Sequence, residues 1–145
     1  MEAQRRVLHA VVRVAERRGG AAHLAVGERG EREALFFLRQ QGFTVVARRW
    51  RTARLRGDLD LVAWEGDCLC FVEVKTRSTR NLLDPAESAV DEEKRQRLRR
   101  MARAYLRGLP EQVRTRVQVR FDVISVYLEP QGAACELFRQ AFARE

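Results

Sequence analysis

Lysine is nearly missing from this chain. Of its 28 Lys and Arg residues, only Lys75 and Lys94 are lysines. Arginine serves almost everywhere a positive charge is wanted, so a position that keeps lysine marks a place where a compact ammonium differs from a planar guanidinium. Cysteine and histidine are also sparse. Cys68, Cys70 and Cys135 form no C-x-x-C pair, and with only His9 and His23 beside them they make a poor zinc set. They read as reduced, buried small residues. No apolar run reaches the roughly 18 residues that a membrane-spanning helix needs. The opening "MEAQRRVLHAVVRVAERRGG" carries charge throughout and lacks the apolar centre of a secretory signal. These absences point to a cytoplasmic protein with no membrane partner.

What is present suits one core. A chain of 145 residues that is 46% hydrophobic buries a single core of ordinary size. The formal charge of +8 points to a polyanion, because clustered Arg and Lys displace counterions from nucleic-acid phosphates. The plainer account is a compositional bias toward arginine.

Residues 3 to 18 place Val7, Leu8, Val11, Val12 and Val14 at helical spacing before "RRGGAA" breaks the pattern. Residues 1–22 therefore read as an accessory helix and linker, and 23–145 as the main domain. A helix is expected from Gly27 to Gln41, with Ala34, Leu35 and Leu38 inward and Gly42 as its cap. "FTVVARRWR" reads as a strand, and strands over 57–64 and 68–76 flank a turn at Glu65, Gly66 and Asp67. A long helix is expected from Pro85 to Arg107, stopped by Gly108 and Pro110. "VQVRFDVISVYLE" is a strand, and "CELFRQAFARE" is compatible with strand or helix. The sum is one α/β domain without internal repeats.

Folding the hairpin so that Trp64 faces Asp67 sets Asp60 opposite Phe71 and Asp58 opposite Glu73. Opposed residues share a face. Leu59, Leu61, Ala63, Cys68, Cys70, Val72 and Val74 then form one apolar face. The other face carries Val62, Trp64, Leu69 and Phe71 near the turn, and Asp58, Asp60, Glu73 and Lys75 at the far end. Asp60 and Glu73 become diagonal neighbours with backbones roughly 7–8 Å apart. Three acids beside one lysine repel one another in a half-buried site unless a cation or protons intervene. Such hard oxygen ligands suit Mg²⁺ or Mn²⁺ completed by water and substrate phosphate. An ion held there polarises a phosphoryl oxygen, while Lys75 orients the attacking water.

"GDLDLVAWEGDCLCFVEVKTR" resembles the core of the PD-(D/E)XK nucleases, and more closely the YraN family of predicted endonucleases. The resemblance covers roughly residues 24 to 127. Gly30, Glu31 and Ala34 match that family's G-E-x-x-A helix signature; Gly57, Asp60 and Leu61 match its G-E-I-D-L; residues 71 to 77 match F-V-E-V-K-T-R; and its helix lysine falls on Lys94. Asp58 stands where the family has glutamate, and "LLDP" at 82 to 85 replaces its F-G-x-P turn. The resemblance implies a restriction-endonuclease-like fold, a three-layer core whose central mixed sheet is flanked by helices.

Glu31 lies three and four residues before the inward Ala34 and Leu35, where an unpaired acid is costly. The alternative is an acid favoured by the positive start of its helix. With the resemblance it joins the site. Lys94 lies on the apolar stripe of Val90, Leu98, Met101 and Tyr105, as a phosphate contact or a support of the site, or else as a snorkelling side chain. Arg95, Arg99, Arg100, Arg103 and Arg107, with Arg48, Arg49, Arg51, Arg54 and Arg56 entering the hairpin, are either a solvated surface or the walls of a phosphate-binding groove. Trp50 is a base-stacking or a core residue.

The reading is a Mg- or Mn-dependent endonuclease acting on DNA, expected on branched, flapped or otherwise non-duplex structures, since no base-reading element is evident. Asp60, Glu73 and Glu31 hold the metal, Lys75 serves the water, and Lys94, Arg95, Arg99, Arg103 and Arg51 contact nucleic acid. A homodimer would suit two-strand cleavage. The competing readings are a non-catalytic nucleic-acid-binding protein of the same fold and an interaction module whose arginines meet an acidic protein.

Overall fold

The computed structural model describes residues 20–77, 90–130 and 132–145. The accessory helix expected over 3–18, the "LLDP" segment and the expected helix start at Pro85 lie outside the described residues.

The described elements are α1 (Gly20–Gln40), β1 (Thr44–Trp50), β2 (Leu59–Glu65), β3 (Cys68–Arg77), α2 (Glu92–Arg107), a single turn α3 (Glu111–Arg114), β4 (Gln118–Glu129) and β5 (Gly132–Phe142). The strands form one sheet in sequential order. Neighbours are antiparallel except β3 and β4, which run parallel. The ambiguous C-terminal stretch is therefore a strand, at the sheet edge.

Two helices depart from expectation. α1 starts seven residues before Gly27, because the Ala- and Leu-containing stretch 21–26 favours helix and the glycine is tolerated within it. Gly20, Ala21 and Ala22 of the expected linker are thus helical. α2 starts at Glu92, so Val90 and Asp91, inside the expected helix, are not helical. Asp91 has extended backbone and its carboxylate accepts the Lys94 N–H at 2.8 Å, which makes it the N-cap. At the far end Gly108 caps the helix, as its position suggested.

Helices cover both sheet faces, giving the three layers of an α/β fold. On one face α1 lays Ala34 and Leu38 over Leu61, Ala63, Cys70, Val72, Ile124 and Val126. On the other, Leu98, Met101, Ala102 and Leu106 of α2 meet Val62, Leu69, Phe71, Phe121 and Val123. Full burial of each such Leu, Val or Phe stabilises by about 1.5–3 kcal/mol. Leu59 joins this second cluster, contrary to the expected alternation. Trp50 packs edge-on to Tyr105 at 5.3 Å, as a core residue.

The hairpin register corrects the expectation by two residues. Glu65 pairs with Cys68, Val62 with Phe71, and Leu61 with Val72. The loop is Gly66 and Asp67, with Gly66 at φ +57°, the positive value that the first position of a tight hairpin turn demands. A two-residue slip preserves which face each side chain takes, so the site face stays as read.

Beyond the turn a polar network ties three strands together. Asp122, fully buried in β4, accepts from Arg120 Nε at 2.7 Å, Arg120 Nη2 at 2.8 Å and the Gln140 N–H at 2.9 Å. Arg139 and Arg120 both donate to Glu65. Those bonds, with Arg139 foremost, outweigh burial and hold the Glu65 carboxyl at about 2.

α1 comes close to β3 at Gly30. A β-carbon there would lie 1.8 Å from Thr76 Oγ1 and 2.9 Å from Thr76 Cβ. Gly30→Ala should therefore lift α1 and lower stability by about 1–3 kcal/mol, read as a reduced urea midpoint. An unchanged midpoint would show that the helix seat does not depend on this contact.

Candidate active site

Each site residue is delivered by a different piece of regular structure. Continuing the β2–β3 register one step past Leu61 and Val72 sets Asp60 opposite Glu73. The Val74 N–H donates to Asp60 Oδ2 at 2.9 Å, so the aspartate closes the hairpin's open end. Both carboxylates face a cleft of about 500 Å³, also lined by Arg51, Thr52, Leu55, Gly57, Asp58, Lys94 and Arg97. Beneath them lie Leu59, Phe71, Leu98 and Phe121. The pair thus stands between water and an apolar floor.

That floor governs the electrostatics. Burial first, then the neighbouring Glu73 carboxylate, pushes Asp60 up to about 8, against the opposing hydrogen bond from Val74; Glu31 and Asp58 add smaller pushes. Glu73 is buried and paired with the Lys94 ammonium. No cation is paired with Asp60 among the described residues.

Glu31 approaches on α1, near enough for its charge to bear on Asp60, but Arg49 Nε holds it at 2.5 Å. Arg49 itself adopts φ +47°, uncommon for a residue with a side chain. Asp58, half-buried, pairs with Arg51 at 3.4 Å. Lys75 is exposed on β3 and is not among the residues lining the cleft.

The arginines of α2 divide. Arg99 is buried, donates to Ala143 O at 3.0 Å and to Glu92 at 3.1 Å, and lies over the Phe142 ring. Arg95 donates to Val90 O and covers the same ring. Expected as phosphate contacts, both instead fasten the C-terminal segment to the helix. Arg103 and Arg51 are exposed. Arg97 was not singled out from sequence, although its place three residues after Lys94 put it on the same side of the helix.

Among the described residues no three His, Cys, Asp or Glu side chains gather closely enough to hold an ion as they stand. The donor set that fits a divalent cation is the Asp60–Glu73 pair. An uncompensated buried carboxylate against a second one has the chemistry that such an ion neutralises, with water and substrate oxygens completing its shell.

A mixed sheet covered by helices on both faces, with paired carboxylates where the central hairpin opens, is an α/β architecture consistent with a restriction-endonuclease-like core. The model of the family described as "Uncharacterised protein family UPF0102" matches residues 30–126. A UPF0102 protein of Koribacter versatilis is 48% identical over 120 residues, covering 83% of this chain and 80% of its own. One from Solibacter usitatus is 49% identical over 116 residues, 80% and 84% of the two chains. One from Symbiobacterium thermophilum is 42% identical over 119 residues, 81% and 95%. The chain belongs to the UPF0102 family, which is the YraN family of the resemblance.

The Asp60 shift has a consequence for stability. An acid whose folded pKa is raised binds its proton more tightly when folded, so its contribution falls as pH rises from the unfolded value near 4 to about 8. Asp60→Asn keeps an acceptor for the Val74 N–H and removes that penalty. In EDTA it should match the wild type near pH 4 and exceed it at pH 8 by on the order of 5 kcal/mol, measured by denaturant unfolding. Equal stabilities at pH 8 would mean that Asp60 carries no burial cost.

Proposed function

We infer that this protein is a divalent-metal-dependent endonuclease that hydrolyses phosphodiester bonds in DNA, on branched, flapped or otherwise non-duplex substrates. The observation that carries this reading is the Asp60–Glu73 pair, neighbours on adjacent strands just beyond the last paired residues Leu61 and Val72, in a cleft also lined by Arg51, Lys94 and Arg97. Asp60 and Glu73 are the residues that would hold Mg²⁺ or Mn²⁺. Bound there, the ion supplies Lewis-acid polarisation of a phosphoryl oxygen and a water of lowered pKa. Arg51 and Arg97 bind and orient the phosphate backbone, and the apolar floor keeps bulk water from beneath the carboxylates. Glu31 acts from α1 once it leaves Arg49, directly or through water. Lys75 leaves β3 on the side of Glu73 and meets the attacking water from the rim. The cytoplasm is the compartment that suits this work.

A second reading has its own support. Glu73 and Glu31 are each already paired with a cation, which suits a protein that binds nucleic acid through the basic cleft without turning it over.

A cleavage panel in Mg²⁺ and Mn²⁺ across duplex, single-stranded, flap and four-way DNA separates the two. Cleavage should appear with the metal, and Glu73→Gln should reduce it by more than about 100-fold, beyond the cost of losing an outer-shell partner. Binding without cleavage on every substrate would favour the non-catalytic reading. Removing both Arg51 and Arg97 should weaken DNA binding and reduce the slope of log affinity against log salt by about 2. A slope that stays put would remove the cleft from the nucleic-acid path.

A further inference from the structure

Lys94 occupies a position that its own helix does not favour. It is the third residue of α2, where the backbone N–H groups and the helix dipole present positive charge. Glu92 and Glu93 before it suit that end, and a lysine does not. Nor does composition account for it, since lysine fills only two of the 28 basic positions. The Glu73 carboxylate offsets the unfavourable placement: the Lys94 ammonium pairs with Glu73 Oε1, with side chains 32% and 9% exposed. The ammonium therefore stands at the mouth of the pair, half in water, while the carboxylate is buried.

The charges indicate what happens when a divalent ion arrives. Asp60 and Glu73 together carry two negative charges when ionised, and a divalent cation matches both. The ammonium is then surplus and is repelled. Its unbranched stem lets it swing into the cleft without disturbing α2, whereas a guanidinium locked in a two-point bond to a carboxylate would not release so readily.

We propose that Lys94 is an exchangeable counter-ion: it holds Glu73 while the cleft is free of metal, and it yields the carboxylate to a divalent cation and turns to the substrate phosphate. Lys94 thereby sets the concentration at which the site accepts metal. The inference rests on the reading of Asp60 and Glu73 as metal ligands and goes beyond it, because it gives Lys94 a part in metal binding that a simple phosphate contact lacks.

Mn²⁺ titration of the full chain by calorimetry, without nucleic acid, tests it. Lys94→Met should bind Mn²⁺ more tightly than wild type, on the order of ten-fold, and Mn²⁺ should raise its unfolding temperature more. Lys94→Arg, which keeps the charge and a stronger grip on Glu73, should bind Mn²⁺ more weakly than wild type. Equal or weaker binding by Lys94→Met, with Mn²⁺ still lost in Asp60→Asn and Glu73→Gln, would overturn the exchange and leave the metal reading intact. No Mn²⁺ binding to any form, or binding that survives both carboxylate changes, would overturn the two together. Should Lys94→Met fail to fold, Lys94→Arg alone decides: unchanged or tighter binding ends the proposal.

Discussion

Two carboxylates opposed on adjacent strands over an apolar floor are the constraint around which this molecule is arranged. Asp60 and Glu73 cannot both hold full charge there without compensation, because like charges in a half-buried site lack the water that would screen them. The fold answers from three directions. The Val74 N–H reaches Asp60 from the strand itself, the Lys94 ammonium reaches Glu73 from α2, and Arg49 on β1 takes up Glu31 from α1. Each answer belongs to a separate element, so the site exists only when both helices are docked on the sheet.

The docking explains why structure far from the cleft matters to it. The β2–β3 hairpin is closed at its turn and open at its carboxylates. At the closed end Glu65 is held by Arg120 and Arg139, and Arg120 is held in turn by the buried Asp122. That network fixes β2, β4 and β5 relative to one another, and with them the height at which Asp60 faces Glu73. On the opposite face Gly30 lets α1 rest against Thr76, one residue past Lys75. The distance from helix to strand there decides how near Glu31 comes to Asp60.

Much of this was legible in the sequence, for reasons that separate the parts. The alternation of apolar and charged residues over 60–76 told which side chains share a face, and a two-residue error in register left that unchanged because strand periodicity is two; only Leu59, at the strand's first position, packs on the other side. Helix ends were harder. Asp91 is a capping residue within reach of reading, yet the apolar pattern ran past it. The partners of Lys94, Arg95 and Arg99 depend on how α2 lies over the sheet and on where the C-terminal segment passes, which no local pattern encodes. Asp122 carried a signal in plain view, an acid inside the apolar run "FDVISVYL", and only a hydrogen-bonded cationic partner such as the half-buried Arg120 makes such a position tolerable.

The +8 charge reads differently once the partners are known. Arg49, Arg95, Arg99, Arg120 and Arg139 are engaged with carboxylates, carbonyls or aromatic rings of the same chain and act as intramolecular fasteners, Arg49 and Arg139 at the surface and Arg99 within the core. The guanidinium suits that work, since its planar fork satisfies two acceptors at once and its face lies on a ring. Among the described residues, Arg97 and Arg51 line the cleft, Arg51 beside Asp58, while Arg100 and Arg103 of α2 are exposed. Of the two lysines, Lys75 is exposed, and Lys94, which lines the cleft, is paired with the Glu73 carboxylate.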